Sequence, residues 1–191
     1  MIFSNKGFIE VICGPMFAGK TTRLIEKIKF LQSQNIDFLV FKPIIDNRYS
    51  LKKELVTHDL VTFPSLTIEN IHEILGFIKA TTNTLFIDEA QFFDNKIEYI
   101  LNDLSYKGIN IFISGLELDF CGRPFGSMPY LLSIADKVTK LKSRCVVCQS
   151  EASRTQRLNQ NGEIPNSKEE VVLIGGKNFH EPRCRKCHIF L

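Results

Sequence analysis

Between residues 14 and 21 the chain reads Gly14-Pro15-Met16-Phe17-Ala18-Gly19-Lys20-Thr21, and few stretches of this length restrict a fold so tightly. Glycines let the backbone curl until its N–H groups converge on one point. The lysine is then placed to meet the outer phosphates of a nucleotide, and the threonine hydroxyl to ligate Mg²⁺. Such a loop needs a strand to deliver it and a helix to follow it, because the helix N-terminus adds partial positive charge. Both flanks are present. Phe8-Ile9-Glu10-Val11-Ile12-Cys13 reads as a strand, and Lys20 to Ser33 carries Leu24, Ile25, Ile28 and Leu31 at helical spacing. A bare glycine turn opening a helix is the alternative, but the full pattern arises by accident in well under about one chain in a hundred. Gly14, Pro15, Met16, Phe17, Ala18, Gly19, Lys20, Thr21 and Thr22 are therefore read as an ATP site.

The alternation continues beyond the loop. Phe38-Leu39-Val40-Phe41 reads as a second strand stopped by Pro43. Ile71 to Lys79 reads as a helix and Thr84-Leu85-Phe86-Ile87-Asp88 as a buried strand. A helix is expected from Phe93 to Lys107, ending near Gly108, then a strand from Ile109 to Ser114. A helix around Tyr130 to Ala135 leads to a last strand near Lys137 to Leu141. Together these predict an α/β fold with a largely parallel sheet. Lysine and arginine number 24 against 21 acidic residues and are interleaved with them, which argues against a chain held mainly by a nucleic-acid backbone. No apolar run approaches the roughly 20 residues a bilayer requires, and Met1 to Gly7 lacks the features of a leader. A soluble cytoplasmic protein is expected, with neither nucleic acid nor membrane as partner.

Asp88-Glu89 closes the apolar strand Leu85-Phe86-Ile87. An Asp in this position of a phosphate-loop enzyme serves Mg²⁺. Glu89 follows along an extended chain, points the other way, and is available for a second purpose. It can take the proton of an acceptor hydroxyl attacking phosphorus. It can equally polarise a water, or cap the next helix. The spacing does not choose among these.

After Arg144 the chain turns rich in Cys, Arg, Asn and Gly, too short and polar to bury a core of its own. Cys145-x-x-Cys148 and Cys184-x-x-Cys187, separated by 35 residues (149–183), form a two-knuckle pattern suited to a closed, structural Cys₄ zinc site. Disulfides, a nucleic-acid-binding ribbon, and His188 as a substitute ligand are the alternatives. Cys13 reads as a small buried hydrophobe, Cys121 as an exposed, oxidisable thiol, and His58 and His72 as surface or structural histidines.

Five stretches then combine into a recognisable pattern: residues 14–21; Phe86-Ile87-Asp88-Glu89-Ala90-Gln91-Phe92-Phe93; Lys42-Pro43-Ile44-Ile45-Asp46-Asn47-Arg48-Tyr49; Gly115-Leu116-Glu117-Leu118-Asp119-Phe120 through Pro124-Phe125-Gly126-Ser127; and Glu151-Ala152-Ser153-Arg154-Thr155-Gln156-Arg157-Leu158. In this order, over nearly the whole chain, they closely resemble the type II thymidine kinases. The resemblance implies a RecA-like P-loop domain over residues 1–142 and a small zinc-binding domain over 143–191, whose lasso loop closes over the nucleoside. It implies Mg·ATP-dependent phosphorylation of the 5′-hydroxyl of thymidine or deoxyuridine, a homotetramer, and feedback inhibition by thymidine triphosphate. Glu89 is then the base, with Lys20 and Arg48 at the transferred phosphate, Asp46 nearby, and Asp88 and Thr21 on the magnesium. Gln91 is assigned with the loop to the nucleotide. Met16, Phe92, Leu116, Phe120 and Phe125 wall the base pocket, Thr155 sits by the thymine methyl, and Ile174, Gly175, Gly176, Phe179 and His180 form the lasso contact. Where the family carries a Tyr, this chain has Lys177-Asn178-Phe179-His180; the change is tolerable if backbone groups make the contact, and shifts affinity or base preference if a phenol hydroxyl matters. The rivals are a RecA-like nucleic-acid-dependent ATPase, with Glu89 activating water, and a zinc-ribbon protein that binds nucleotide only as a regulator.

Overall fold

The computed structural model describes residues 6–44, 54–56, 62–94, 96–159, 161–166 and 179–191, with the backbone alone at Val56 and Phe179. Strand β1 (Ile9–Cys13) is buried along its whole length. It leads through the glycine loop into helix α1 (Lys20–Ser33) and then strand β2 (Phe38–Pro43). A short antiparallel pair, β3 (Glu54–Val56) and β4 (Thr62–Pro64), precedes strand β5 (Leu66–Ile68). Next come helix α2 (Ile74–Phe77), strand β6 (Thr84–Ile87), helix α3 (Ile97–Tyr106) and strand β7 (Asn110–Gly115). Helix α4 (Met128–Ile134) and strand β8 (Lys137–Lys140) complete the large sheet. Its order is β5-β2-β6-β7-β1-β8, and every pairing is parallel.

A parallel sheet needs cover on both faces, and strand periodicity of two divides the apolar residues between them. Ile9, Val11, Cys13, Phe41, Leu85, Ile87, Ile111 and Ile113 face one core, shared with Ile71 and Ile74, with Ile97, Leu101 and Leu104 of α3, and with Met128 and Leu131 of α4. Ile12, Val40 and Phe86 face the other, under Leu24, Ile25 and Ile28 of α1. Phe86 is fully buried there, stacked on Phe112 at 5.1 Å and edge-on to Phe38 at 5.8 Å between ring centres. Because all strands run the same way, their carboxyl ends share one edge, and the glycine loop, Asp88 and the loop after Gly115 leave from that edge.

Several expected boundaries shift for local reasons. Helix α1 begins and ends where its apolar stripe places it. Strand β2 runs through Pro43 instead of stopping before it; pairing with β6 ends at Phe41, so the missing N–H costs no ladder bond on that side. The helix expected over 71–79 is one turn of 3₁₀ structure, Ile71–Glu73, opened by an Asn70–Glu73 capping box, followed by the single turn of α2. The helix expected from Phe93 starts only at Ile97, because Phe93 is extended and drives its ring into the core.

The C-terminal piece forms two small antiparallel pairs: β9 (Ser143–Arg144) with β10 (Glu151–Ala152), and β11 (Arg154–Leu158) with β12 (Phe179–Arg183). Its own buried cluster is Cys145, Ala152 and Cys184, with Cys187 packed against it. The thiols are most of this core, as the composition implied.

One charge is buried under α1. Glu10 on β1 receives Lys27 at 3.0 Å, Lys137 at 3.4 Å and the Thr139 hydroxyl at 2.9 Å. Burial works against its ionisation, but Lys27 first, then Thr139 and Lys137, hold its pKa below the ordinary 4.5. A carboxylate whose folded-state pKa is depressed contributes stability above its unfolded value and loses it as the pH falls through the folded value. Glu10→Gln is therefore expected to cost about 1–3 kcal/mol at neutral pH, with the difference in melting temperature from the native chain closing on acidification below about pH 4. Thermal unfolding across a pH series measures it; a difference that stays constant into acid would remove the ion-pair account.

Candidate active site

The loop between β1 and α1 adopts a conformation that few residues permit. Gly14 has φ 146°, and a Cβ there would lie 2.5 Å from the Leu141 carbonyl oxygen. Phe17 at the loop's crest and Gly19 before the helix also have positive φ, 62° and 79°. Lys20 is almost wholly buried and lies back across the loop, donating from Nζ to the Pro15 carbonyl at 2.9 Å. Lys20 is also the first residue of α1, and a cation at a helix N-terminus is suited to phosphate. Thr22 follows on α1 and is exposed.

Strand β6 delivers the carboxylates. Asp88 accepts the Thr21 hydroxyl on Oδ2 at 3.0 Å, and on Oδ1 it accepts the Glu89 N–H at 3.0 Å and the Ser114 hydroxyl of β7. Its carboxylate is thereby fixed against the first turn of α1. Glu89 does not continue the strand as expected. It turns into the left-handed region, φ 51° and ψ 43°, and opens a 3₁₀ turn over Ala90–Phe92. Its direction is set by that turn and by Gln91, whose Nε2 donates to Glu89 Oε2. Gln91 is buried, and its Oε1 accepts the Leu116 N–H at 3.0 Å, tying the turn to the loop after β7. Gln91, assigned from sequence to the nucleotide, therefore has both ends of its amide engaged on Glu89 and Leu116.

The loop over 116–127 is held in a compact fold. Phe125 N donates to Glu117 O at 3.1 Å, Arg123 N to Asp119 Oδ1 at 2.9 Å, and the Ser127 hydroxyl to Ala90 O at 2.7 Å. Gly126, with φ 50°, lies so close to the turn that a Cβ would stand 1.9 Å from the Gln91 carbonyl oxygen. These contacts bring Phe125 edge-on to Phe92, ring centres 5.6 Å apart, both half-buried, while Leu116 and Phe120 are buried. The Arg157 guanidinium lies over the Phe120 ring at 3.8 Å, itself almost wholly buried.

The C-terminal piece closes this end of the sheet. Thr155 accepts the Met16 N–H at 2.9 Å, and the Ser143 hydroxyl donates to Phe17 O at 3.2 Å. The structure thus brings together Met16, Lys20, Thr21, Asp88, Glu89, Gln91, Phe92, Leu116, Phe120, Phe125 and Thr155 around the carboxyl edge. His180 is half-buried on β12, opposite Arg157 of β11. Asp46, Arg48, Ile174, Gly175 and Gly176 lie outside the described residues, as do His58 and the Phe179 side chain. Ser114, Ser143 and Arg157 were not singled out in advance. Ser114 had a signal, being the one polar side chain ending the apolar run Ile111-Phe112-Ile113. Arg157 had the same two-residue spacing from Thr155 that puts both on one face of a strand.

Of the thiols, Cys121 departs from expectation: it is buried, and burial first, then Asp119, pushes its pKa up. Cys13 is buried as expected, and burial with the Glu117 charge raises it to about 11. The other four cysteines converge, their sulfurs all within 4.8 Å of one another, a set able to hold a metal ion. Burial opposes ionisation of Cys145, but backbone N–H groups of Cys184, Cys148 and Val147 turned toward its sulfur bring it down to about 6. Cys187 is pushed up to about 12 by Cys184 and Cys148 beside it. Four converging thiols are the donor set of a closed metal site. His188 is not part of the set: its Nε2 meets the Phe120 carbonyl at 3.0 Å instead.

A family model described as thymidine kinase matches residues 7–188. A protein of Onion yellows phytoplasma (strain OY-M) named thymidine kinase is 55% identical over 184 residues, covering 96% of this chain and 88% of its own. One of Aster yellows witches'-broom phytoplasma (strain AYWB), with the same name, is 54% identical over 184 residues with the same coverage. Among solved structures the chain is similar to the Legionella pneumophila ATPase DotB at TM-score 0.40 and 12% identity, over 68% of this chain and 34% of that one, a likeness too slight to bear on function. With a family match spanning nearly its whole length and relatives identical at more than half their aligned positions, this chain belongs to the thymidine kinase family.

Proposed function

We propose that this protein transfers the γ-phosphoryl group of ATP to the 5′-hydroxyl of thymidine, and of deoxyuridine, yielding the 5′-monophosphate in pyrimidine salvage. The observation that carries the reading is Glu89, set by its left-handed turn between the Thr21–Asp88 pair and the turn that bears Phe92. A carboxylate there stands between a phosphate site and an apolar, aromatic-walled slot of the kind a pyrimidine needs. As the acceptor oxygen attacks, its proton passes to Glu89, the new O–P bond forms, and the bond from the γ-phosphorus to the bridging oxygen of ADP breaks. Lys20 leaves Pro15 O for the outer phosphates, and Arg48 and Asp46 act beside the transferred group. Met16, Phe92, Leu116, Phe120 and Phe125 wall the base, Thr155 lies by its methyl group, and Ile174 to Gly176 with Phe179 and His180 close over it.

Thr21 and Asp88 would hold Mg²⁺, which when bound supplies positive charge to the phosphate oxygens. Their oxygens are 3.0 Å apart, matching the about 3.0 Å between neighbouring ligands at 90° around an ion with bonds near 2.1 Å. Zn²⁺ is the ion we assign to Cys145, Cys148, Cys184 and Cys187. Cys148 Sγ and Cys184 Sγ are 3.6 Å apart, against about 3.8 Å for a tetrahedron with Zn–S bonds near 2.3 Å. We extend the reading, on family membership, to a homotetramer, inhibition by thymidine triphosphate, a cytoplasmic location, and a division at residues 142 and 143 between the ATP-binding and metal-binding parts. Among the described residues no helix is long and apolar enough to cross a membrane.

Incubation with Mg·ATP and each natural deoxynucleoside is expected to give thymidine monophosphate in step with ADP; ADP alone, stimulated by DNA or RNA, would identify a motor instead. Glu89→Gln should lower kcat about 10²–10⁴-fold while thymidine affinity, measured by calorimetry, changes by less than about threefold; activity surviving within about tenfold would remove Glu89 as the base. For the cluster, metal analysis should find one zinc per chain. Cys184→Ser, or chelation, should expose the C-terminal segment to proteolysis and abolish thymidine binding. A metal-free protein equally resistant and equally able to bind would contradict the structural assignment.

A further inference from the structure

We propose that residues 188–191, which follow Cys187, are a positioning strap for the nucleoside pocket: they hold the turn over 119–123, and Phe120 with it, where thymidine binding needs that ring. This rests on the reading of Phe120 as part of the base wall. The turn is closed on itself. Asp119 N donates to Arg123 O at 2.9 Å, Gly122 N to Asp119 O at 3.1 Å, and Arg123 N to Asp119 Oδ1 at 2.9 Å. It joins the rest of the loop through a bridge between Leu118 and Pro124. Its own bonds therefore fix its shape, while its tilt over the pocket depends on what packs against it. The strap does so at Phe120, Gly122 and Arg123. The His188 ring meets the Phe120 carbonyl at 3.0 Å. Gly122, with φ 83°, lies directly under the strap: a Cβ there would stand 3.2 Å from His188 Cε1 and 3.2 Å from Phe190 Cδ2. Arg123 Nη2 donates to the Leu191 carbonyl at 2.8 Å.

The strap is itself anchored. At its start, His188 N donates to the Cys184 carbonyl at 2.9 Å, continuing the turn that carries Cys184 and Cys187. In its middle, Ile189 N donates to Gln156 Oε1 at 2.8 Å. Gln156 lies on β11 and is fully buried, and its Nε2 has no hydrogen-bond partner. Among the described residues the Ile189 N–H is thus what satisfies this buried amide, and losing it would leave both ends unpaired. The neighbours of Gln156 on β11 reach the site: Thr155 accepts the Met16 N–H at 2.9 Å, and the Arg157 guanidinium lies over the Phe120 ring at 3.8 Å. Phe120 is therefore held on its ring from β11 and on its carbonyl from the strap, and the strap is tied to β11 in turn. A flat pyrimidine is gripped by van der Waals contact, of which a gap of about 0.5–1 Å forfeits a quarter to a half. Such tolerance is met only when the shell behind the contacting residue is fixed. The strap's contacts are with the turn and β11, so it bears on affinity and leaves the transfer step to the groups of the carboxyl edge.

The test uses the full, zinc-loaded chain with Mg·ATP and thymidine. Arg123→Ala removes the tie to Leu191 from an exposed side chain, and Ile189→Pro removes the N–H offered to Gln156. Arg123→Ala is the variant that folds if the proline does not. Each is expected to raise thymidine Kd, by calorimetry, about 3–10-fold, with kcat at saturating thymidine within about twofold and bound zinc unchanged. The same changes are then made in Phe120→Leu. Because the strap acts through that ring, they should cost less than about twofold further there. A native Kd in both strap variants would overturn the proposal. So would a loss of the same size with Phe120 present and replaced, which would place the strap's effect elsewhere. Affinity that falls only in step with zinc content would overturn it in favour of plain support for the cysteine cluster. Should Phe120→Leu itself bind thymidine as the native chain does, the wall reading fails; should it bind weakly while the strap variants bind normally, the strap alone fails.

Discussion

A parallel sheet sealed on both faces has one place to put polar chemistry, the edge where its strands end. Here α1 covers one face, while α3, α4 and the segment around Ile71 and Ile74 cover the other. Apart from Glu10 and Thr84, β1 and β6 are apolar and end on apolar residues, Cys13 and Ile87. The polar groups near the site lie at that level: Gly14 directly after β1, Asp88 directly after β6, and Ser114 one residue before the end of β7. Registers make the levels coincide. Ile87 pairs with Ile113 and Cys13 with Gly115, so the carboxylates, Ser114 and the glycine loop stand side by side without any long side chain having to reach.

That crowding creates its own problem, since polar groups at such an edge must be satisfied when no nucleotide is there. The site solves it internally. Lys20 bonds a carbonyl of its own loop, Asp88 takes hydroxyls from Thr21 and Ser114, and Gln91 links Glu89 to Leu116. These contacts differ in what a phosphate would ask of them. Lys20 must exchange a neutral carbonyl for charged oxygens, a gain. The Asp88 and Gln91 contacts hold the two carboxylates in place, and under the function proposed above such preorganisation would reduce the cost of reaction.

The sequence announced what was periodic or glycine-fixed and concealed what was short. Helix α1 was legible because Leu24, Ile25 and Ile28 repeat at helical spacing behind a loop that can only precede a helix. The cysteine cluster was legible because thiol spacing survives any intervening fold. By contrast β3, β4 and β5 are three residues each, below the length at which alternation separates a strand from a loop. The 71–79 helix failed because Gly76 and the capping box at Asn70 give only one turn of each helical type before Ile78 turns extended. Glu89 failed differently. A left-handed non-glycine residue leaves no trace in composition, and such strain gathers where function needs an unusual direction. Asp46, Arg48 and the Ile174-Gly175-Gly176 stretch belong to segments outside the described residues, so their placement adds nothing to the comparison.

The C-terminal piece shows why a weak core can still be consequential. Its thiols make its interior, yet several of its described outward contacts land on the site's own framework. Thr155 takes the Met16 N–H, Ser143 reaches Phe17 O, Arg157 lies over Phe120, and His188, directly after Cys187, meets the Phe120 carbonyl. Burial lowers the His188 pKa, and because a carbonyl can only accept, its Nε2 carries the hydrogen toward Phe120. Ile189 then donates to Gln156 and Arg123 reaches the Leu191 carbonyl. The backbone that bears the last two cysteines is thus the backbone that pins Phe120 from behind. Order in the cluster and order in the aromatic wall are one mechanical unit, because a loop of Gly, Pro and Phe residues has no regular structure of its own to hold its shape.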